Sequence, residues 1–532
     1  MLKDEVRQII SKAVGHEIEL LVPKNPQFGD YSINLNKLSE KIELDKFKND
    51  HFEKIEEKAG FVNFYLSKKT LLDNLNSTIS FTNNNQTTLL EFGQPNTHKL
   101  PHIGHLFSYV YGESCARLLE LVGNKVIRLN YQGDIGLHVA KCLYIVMRDE
   151  AEISKLSTLE DKINFLQKYY QEGSKIYAED EQIKQTIDDL NTKIYEKNEE
   201  VFDLWNMTRQ WSLDYYQQFE KRLDVQYERS YFESETFETG KKIVLENIGK
   251  VFEESEGAII FDGEPHGLHK RVFINSKGNP TYEGKDIGLM WQKIKDWQFD
   301  KCIVTTACEQ NEYWKVIKTA CEMLFPQIKD KITHLGFGMI SLKSGKMSSR
   351  EGSIISAMNL IDEVKSKILE KYPDTNPEIV EELALSAIKY SFLKSEAKKN
   401  SVFDIDESVS LHGNSGPYIQ YAHARCKSLL KGYQKQDFKN IGVELVKEEI
   451  DLLRHFIVFE NVLDSSSRSY SPHLLCNYLY ELTKNFSVFY EKLPILKASE
   501  ESKTLRLSLV QKTSEIISQS LSLLGIKALD KI

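Results

Sequence analysis

Two histidines spaced three apart, in His102-Ile-Gly-His105, separate an apolar run (Thr88, Leu89, Leu90) from a helical pattern (Leu106, Val110, Ala116, Leu119). A strand that enters a helix through a glycine-containing loop turns backbone N–H groups and the positive helix end toward whatever lies beyond the strand. That makes a phosphate site. The two imidazoles could donate to phosphate oxygens while Gly104 admits a nucleotide base against the backbone. By itself the four-residue match is weak, and two ordinary histidines at a helix start are the more usual reading. About 240 residues further on the chain reads Lys343-Ser-Gly-Lys346-Met347-Ser348-Ser349-Arg350-Glu-Gly352. A glycine-bordered, serine-rich loop carrying Lys346 and Arg350 is suited to stabilising the charge that builds on a triphosphate as pyrophosphate leaves.

The surrounding pattern supplies elements to hold both segments. Strand and helix alternate over 89–92, 106–121, 126–130 and 137–148, the rhythm of a doubly wound parallel sheet. Residues 151–222 turn charged and helical and read as an insertion. Sheet-like runs resume at 257–261, 272–274, 301–305 and 334–340, so a Rossmann-type domain over 88–355 is expected. Ahead of it, 1–80 reads as a small α/β module: a helix with Val6, Ile9 and Ile10, strand-like runs at 18–22 and 61–66, and a turn at 26–31. After 356 the spacing is helical throughout, over 383–395, 417–430, 448–463, 473–493 and 504–524. A helical connection (356–400) followed by an all-α bundle (401–532) is expected, making the chain α/β plus all-α.

Composition narrows the classes. A chain of 532 residues, 41% hydrophobic and 28% charged, has room for several domains with their own cores. A net charge of −9 argues against a protein that coats nucleic acid, yet residues 401–532 carry equal numbers of acidic and basic side chains, so the excess lies upstream. The seven cysteines are scattered without a Cys-x-x-Cys, so neither structural zinc nor a disulfide framework is expected. No apolar run approaches the ~18 residues of a membrane span, and the start of the chain mixes both charge signs. A cytoplasmic, monomeric protein without a membrane partner is expected.

His102-x-Gly-His105 and Lys346-Met-Ser-Ser349, in this order, resemble the two signatures of class I aminoacyl-tRNA synthetases. Asn130-Tyr-Gln-Gly-Asp-Ile-Gly136 is similar to a loop of the arginyl members, and the similarity then runs along nearly the whole chain. It includes Pro26-x-x-Gly-Asp-Tyr31, Gly60-Phe-Val-Asn-Phe64, Tyr231-Phe-Glu-Ser-Glu235, Thr281-Tyr-Glu-Gly-Lys-Asp286, the Ser415–Arg425 segment and Leu524-Gly-Ile526. The resemblance implies an N-terminal module that touches the D-loop of tRNA, a catalytic domain and an anticodon-binding bundle. The implied reaction joins L-arginine to tRNA(Arg) through arginyl-adenylate, consuming ATP with Mg²⁺, with arginine activation dependent on bound tRNA. Another class I synthetase, a small nucleotidyltransferase and a non-catalytic RNA-binding paralogue are the alternatives. The first would want zinc ligands for cysteine, and the second leaves the C-terminal bundle unused. Intact His102, His105, Lys346 and Asp286 weigh against the third.

Residue chemistry and resemblance meet at the arginine pocket. A guanidinium is a planar, permanently charged fork that carboxylates and carbonyl-type acceptors satisfy. Glu91 ends the first strand, and Tyr282 and Asp286, four apart, share one helix face. By resemblance Asp286 and Tyr282 hold the guanidinium, with Glu91 a second acceptor. Gln94, Pro95, Asn96, His105 and Gln310 meet the rest of the amino acid. His102, Gly104, His105, Lys346, Met347 and Ser348 take ATP. Ser349 stands where the class carries a second loop lysine, so either Lys99, just before the histidines, or Arg350 is expected to replace that cation. Tyr418, Tyr421 and Arg425 lie at i, i+3 and i+7 on one helix face. They are either core aromatics or, as the resemblance implies, a platform for splayed anticodon bases.

Overall fold

The computed structural model describes residues 2–23, 26–37, 43–77, 81, 84–343, 356–434 and 444–532. Lys346, Met347, Ser348, Ser349 and Arg350 lie outside the described residues. The chain divides into two compact units, one of Asn83–Asp374 with Leu383–Val409, the other of Met1–Thr82 with Thr375–Glu382 and Ser410–Ile532.

The first unit is built on five parallel strands: β1 (Thr87–Glu91), β2 (Lys125–Gln132), β3 (Arg229–Phe232), β4 (Lys301–Ala307) and β5 (Ile332–Phe337), in the order β5-β4-β1-β2-β3. Central β1 is covered on both faces, which is why its Leu89 and Leu90 are consecutive, apolar and fully buried. Helices α1 (Ile103–Leu121) and α2 (Leu137–Arg148) follow β1 and β2. Then come the charged helices α3 (Leu159–Glu179), α4 (Glu181–Tyr195) and α5 (Glu199–Leu223), and after β3 the helices α6 (Glu233–Glu246), α7 (Tyr282–Asp296) and α8 (Asn311–Leu324). From β1 the chain builds outward through β2 to β3, then returns to the other side for β4. The carboxyl ends of β1 and β4 therefore open the crevice where an open parallel sheet takes its ligand.

Two expectations resolve differently. The runs at 257–261 and 272–274 form a separate antiparallel sheet with Glu253–Ser255, because Glu256 and Gly257 adopt positive φ and close a hairpin there. The run at 334–340 splits into β5 and a short strand, Ile340–Leu342, which pairs in parallel with Ser401–Phe403, a strand inside a stretch that reads as helical.

In the second unit, helix Leu2–Val14 accompanies a three-stranded antiparallel sheet with Phe61–Leu66 between Tyr31–Asn34 and Phe52–Lys58. The expected strand at 18–22 reduces to one bridge, Leu21 to Ser32. The long helices of the unit are α9 (Gly416–Leu429), α10 (Lys447–Arg468), α11 (Pro472–Lys492) and α12 (Glu500–Leu523). The N-terminal sheet sits on this bundle. Arg454 of α10 lies 3.1 Å from Asp30 and 3.4 Å from Glu53, and Lys512 donates to the Ser77 carbonyl over 2.5 Å.

Candidate active site

The histidine pair caps α1 reciprocally. The Gly104 N–H donates to His102 Nδ1 over 3.0 Å, and the His102 N–H donates to His105 Nδ1 over 3.2 Å. Each Nδ1 being an acceptor, the proton of each neutral ring sits on Nε2, so both rings present an N–H donor. Desolvation holds His105 well below the ordinary histidine range and hence neutral. Gly104 is required by this cap, because a Cβ there would lie 2.9 Å from His102 Cε1.

Below the helix end opens a cavity of about 690 Å³ between the loops after β1 and β4, lined among others by Glu91, Gln94, Asn96, His102, Gly104, His105, Tyr282, Asp286 and Gln310. Nine of the residues expected at the site thus meet in one place. Pro95 is buried and Lys99 stands apart, its Nζ 4.3 Å from the centre of the Tyr170 ring. Asn96 is seated against Gly133 of the loop after β2, where a Cβ would come within 2.2 Å of its Oδ1. Tyr282 and Asp286 open α7 on one face, as their spacing requires, and Tyr282 is 62% exposed. α7 is itself held close to α6: a Cβ on Gly288 would lie 2.1 Å from the Thr236 carbonyl, and one on Gly240 would lie 2.0 Å from the Gly284 carbonyl.

The charges are almost balanced. Glu91 pairs with fully buried Lys293 and also accepts from Gln94 Nε2 over 2.6 Å, so each of its oxygens already has a donor. Glu233 pairs with Lys285 at 2.6 Å, and Glu283 with Arg271 at 3.4 Å. Asp286 has a hydrogen bond from Tyr313 Oη at 2.5 Å and, among the described residues, no ion pair. Burial is the largest influence on it and Glu91 adds repulsion. Together they outweigh the Tyr313 bond and push the Asp286 carboxyl from 3.8 up to about 8. The described residues bring together no group of three or more His, Cys, Asp or Glu side chains able to hold a metal ion.

Lys293, Tyr313, Lys285 and Glu233 escape the sequence reading. Lys293 was legible in principle: seven residues after Asp286 and eleven after Tyr282, it shares their face of α7, in the phase of buried Met290. Tyr313 lies on α8 and carries no local signal of its partner.

In the second unit Tyr421 is 36% exposed while Tyr418 is half-buried, its hydroxyl 3.3 Å from Ser487 Oγ. The Arg425 guanidinium lies 4.9 Å from the Tyr421 ring centre and 4.6 Å from that of Tyr490, and it donates to Tyr421 Oη over 2.9 Å. Tyr490, on α11, stands beside this pair and has no spacing signal from α9.

A parallel sheet opening at β1 and β4, with an imidazole-capped helix over that opening, belongs to the catalytic fold of class I aminoacyl-tRNA synthetases. A family described as "tRNA synthetases class I (R), catalytic domain" matches residues 68–405, and the DALR anticodon binding domain family matches 419–532. The arginine--tRNA ligase of Borreliella afzelii is 31% identical over 543 residues, spanning 93% of this chain and 92% of that protein. That of Porphyromonas gingivalis is 27% identical, spanning 89% and 86%. In fold, the chain is similar to the Thermus thermophilus arginyl-tRNA synthetase, with a TM-score of 0.83 at 22% identity and full coverage of both chains. The chain belongs to the arginyl-tRNA synthetases of class I.

Proposed function

We propose that this protein charges tRNA(Arg) with L-arginine for protein synthesis, by way of arginyl-adenylate and with release of pyrophosphate and AMP. The observation that carries the choice of amino acid is Asp286, a carboxylate without an ion pair in a cavity whose other buried charges are matched. A guanidinium entering there pulls the Asp286 proton off and pairs with the carboxylate that results. Tyr282 stands beside it, and Asn96, His105, Gln94 and Gln310 take the remaining polar groups of the amino acid, with Pro95 shaping the loop. Glu91 contributes only the lone pairs that Lys293 and Gln94 leave.

The arginine carboxylate attacks the α-phosphate of ATP. The Nε2–H groups of His102 and His105 face the phosphates at the positive end of α1, where Gly104 keeps the approach open. Mg²⁺ travels with the nucleotide, coordinated largely by phosphate and water. Lys346, with Met347 and Ser348, completes the nucleotide site. Lys99, or Arg350 in its place, offsets the charge on departing pyrophosphate. The N-terminal module meets the tRNA D-loop, and Tyr421, Tyr418 and Arg425 meet the anticodon loop, with Tyr490 beside them. The protein works as a cytoplasmic monomer; no helix among the described residues is long and apolar enough to cross a membrane.

ATP–pyrophosphate exchange tests this reading. Exchange is expected with arginine, and only when tRNA is added. Full-rate exchange with another amino acid would reject the arginine assignment, and robust exchange without tRNA would reject the tRNA requirement.

A further inference from the structure

The charged segment that reads as an insertion carries a polar stripe at intervals of four on α5: Thr208, Ser212, Tyr216 and Glu220. Residues four apart lie above one another on a helix, and every member of this stripe bonds to the loop between β1 and α1 or to its support. Ser212 Oγ accepts the His98 N–H over 3.0 Å, and Thr208 Oγ1 lies 2.9 Å from His98 Nε2. Tyr216 Oη donates to the carbonyls of Asn96 and Lys99, at 2.6 and 2.8 Å. Glu220 accepts from Asn130 Nδ2 at 3.2 Å, and Asn130 Oδ1 in turn accepts the Gln94 N–H at 2.9 Å.

The loop needs this support. Gln94 and His98 have φ of 56° and 64°, a left-handed conformation that residues other than glycine rarely adopt and that persists only when surroundings over-determine it. His98 is completely buried and neutral, as are the hydroxyl-bearing Thr97, Thr208 and Ser212 around it. The Thr208 hydroxyl also donates to the Leu204 carbonyl over 2.8 Å, so it receives the His98 Nε2–H, and Nδ1 is left to accept from Thr97 Oγ1 at 3.0 Å. No donor in this chain of bonds is spare. On either side of His98 stand Asn96, which lines the cavity, and Lys99.

We infer that His98, keyed onto Thr208 and Ser212, is a positioning residue for arginine activation, and that α5 is thereby part of the active-site support. His98 touches no substrate; it sets where Asn96 and Lys99 point. The inference rests on the arginine-activating reading above.

The test compares Thr208→Val, which keeps the shape and strands the buried imidazole N–H, with Thr208→Ser, which keeps the hydroxyl. In tRNA-dependent exchange, Thr208→Val should lose roughly ten- to a hundredfold in kcat, the scale of an ångström's misplacement. It should also raise the arginine KM and leave the tRNA KM unchanged, while Thr208→Ser recovers most of the rate. Native kcat and arginine KM in folded Thr208→Val, or equal loss in both variants, would overturn the inference. Should Thr208→Val not yield folded protein, Tyr216→Phe removes the hydroxyl that both carbonyls accept while keeping its ring. Its native kcat would overturn the inference and a selective loss would support it. Absence of arginine-dependent exchange in the unaltered protein overturns both this inference and the reading beneath it.

Discussion

The arginine KM should fall as pH rises, and Asp286 is the reason. In the empty cavity burial holds its carboxyl near pKa 8 rather than 3.8. About one molecule in ten is then ionised at pH 7, and about one in a hundred at pH 6. On the proposed reading the guanidinium binds the ionised form, since a protonated acid leaves a desolvated cation facing a neutral partner. Between pH 6 and 7 the KM should therefore drop roughly tenfold, and it should level off above about pH 8.5. Near pH 7 arginine binding should release close to one proton, measurable by calorimetry in buffers of different ionisation enthalpy. Stability has the same origin. The unfolded chain ionises Asp286 near 3.8 and the folded one near 8, so the empty enzyme loses stability as pH climbs through that window. The arginine-induced rise in Tm should accordingly be larger at pH 8 than at pH 6.5. Asp286→Asn should abolish the pH dependence and raise the arginine KM by two to three decades, in line with about 3–5 kcal/mol for breaking a buried charge pair. A KM that is flat from pH 6 to 8.5 with no proton release would refute the reasoning.

Other outcomes follow from the same geometry. Lys99→Ala should lower kcat for activation with little change in arginine KM; a silent Lys99→Ala beside a crippled Arg350→Ala would make Arg350 the compensating cation. Lys293→Met should cost about 3–5 kcal/mol in denaturant unfolding because it strands buried Glu91, and Glu91→Gln in that background should recover most of the loss; additive effects would deny the pairing. Tyr421→Ala should weaken tRNA binding by ~1–3 kcal/mol, one stacked base, at unchanged Tm, and Arg425→Ala should flatten the salt dependence of tRNA binding. A large fall in Tm with native tRNA KM would return Tyr421 to a packing role.

What the sequence reveals here depends on whether a signal is local. The helix over Leu137–Arg148 carries a clean 3.6-residue apolar period and is legible to its ends, whereas among the long C-terminal helices the expected 448–463 stops short of Arg468 and the expected 504–524 begins after Glu500. Strand Phe52–Lys58 is hidden because its alternation is filled by Glu and Lys on a half-exposed edge. Apolar runs at 257–261 and 301–305 read alike, yet one joins an antiparallel hairpin and the other the central parallel sheet. Only long-range pairing distinguishes them. At the site, motif spacing pairs His102 with His105 and Tyr282 with Asp286, because each pair is fixed by one helix, while only the family resemblance joins the two pairs. The Lys293–Glu91 pair spans 202 residues and the Tyr313–Asp286 bond joins two helices, so no local pattern announces either. The charged face of α5 resembles a solvated surface until the loop it supports is folded against it.

The central claim, arginine specificity set by one carboxylate without an ion pair, is tested most directly by aminoacylation. Total tRNA is charged with each of the standard amino acids in turn, by the unaltered protein and by Asp286→Asn. Arginine alone should be esterified by the unaltered protein, and Asp286→Asn should need far more of it. Efficient charging with any other amino acid, or a near-native arginine KM in Asp286→Asn, would contradict the account.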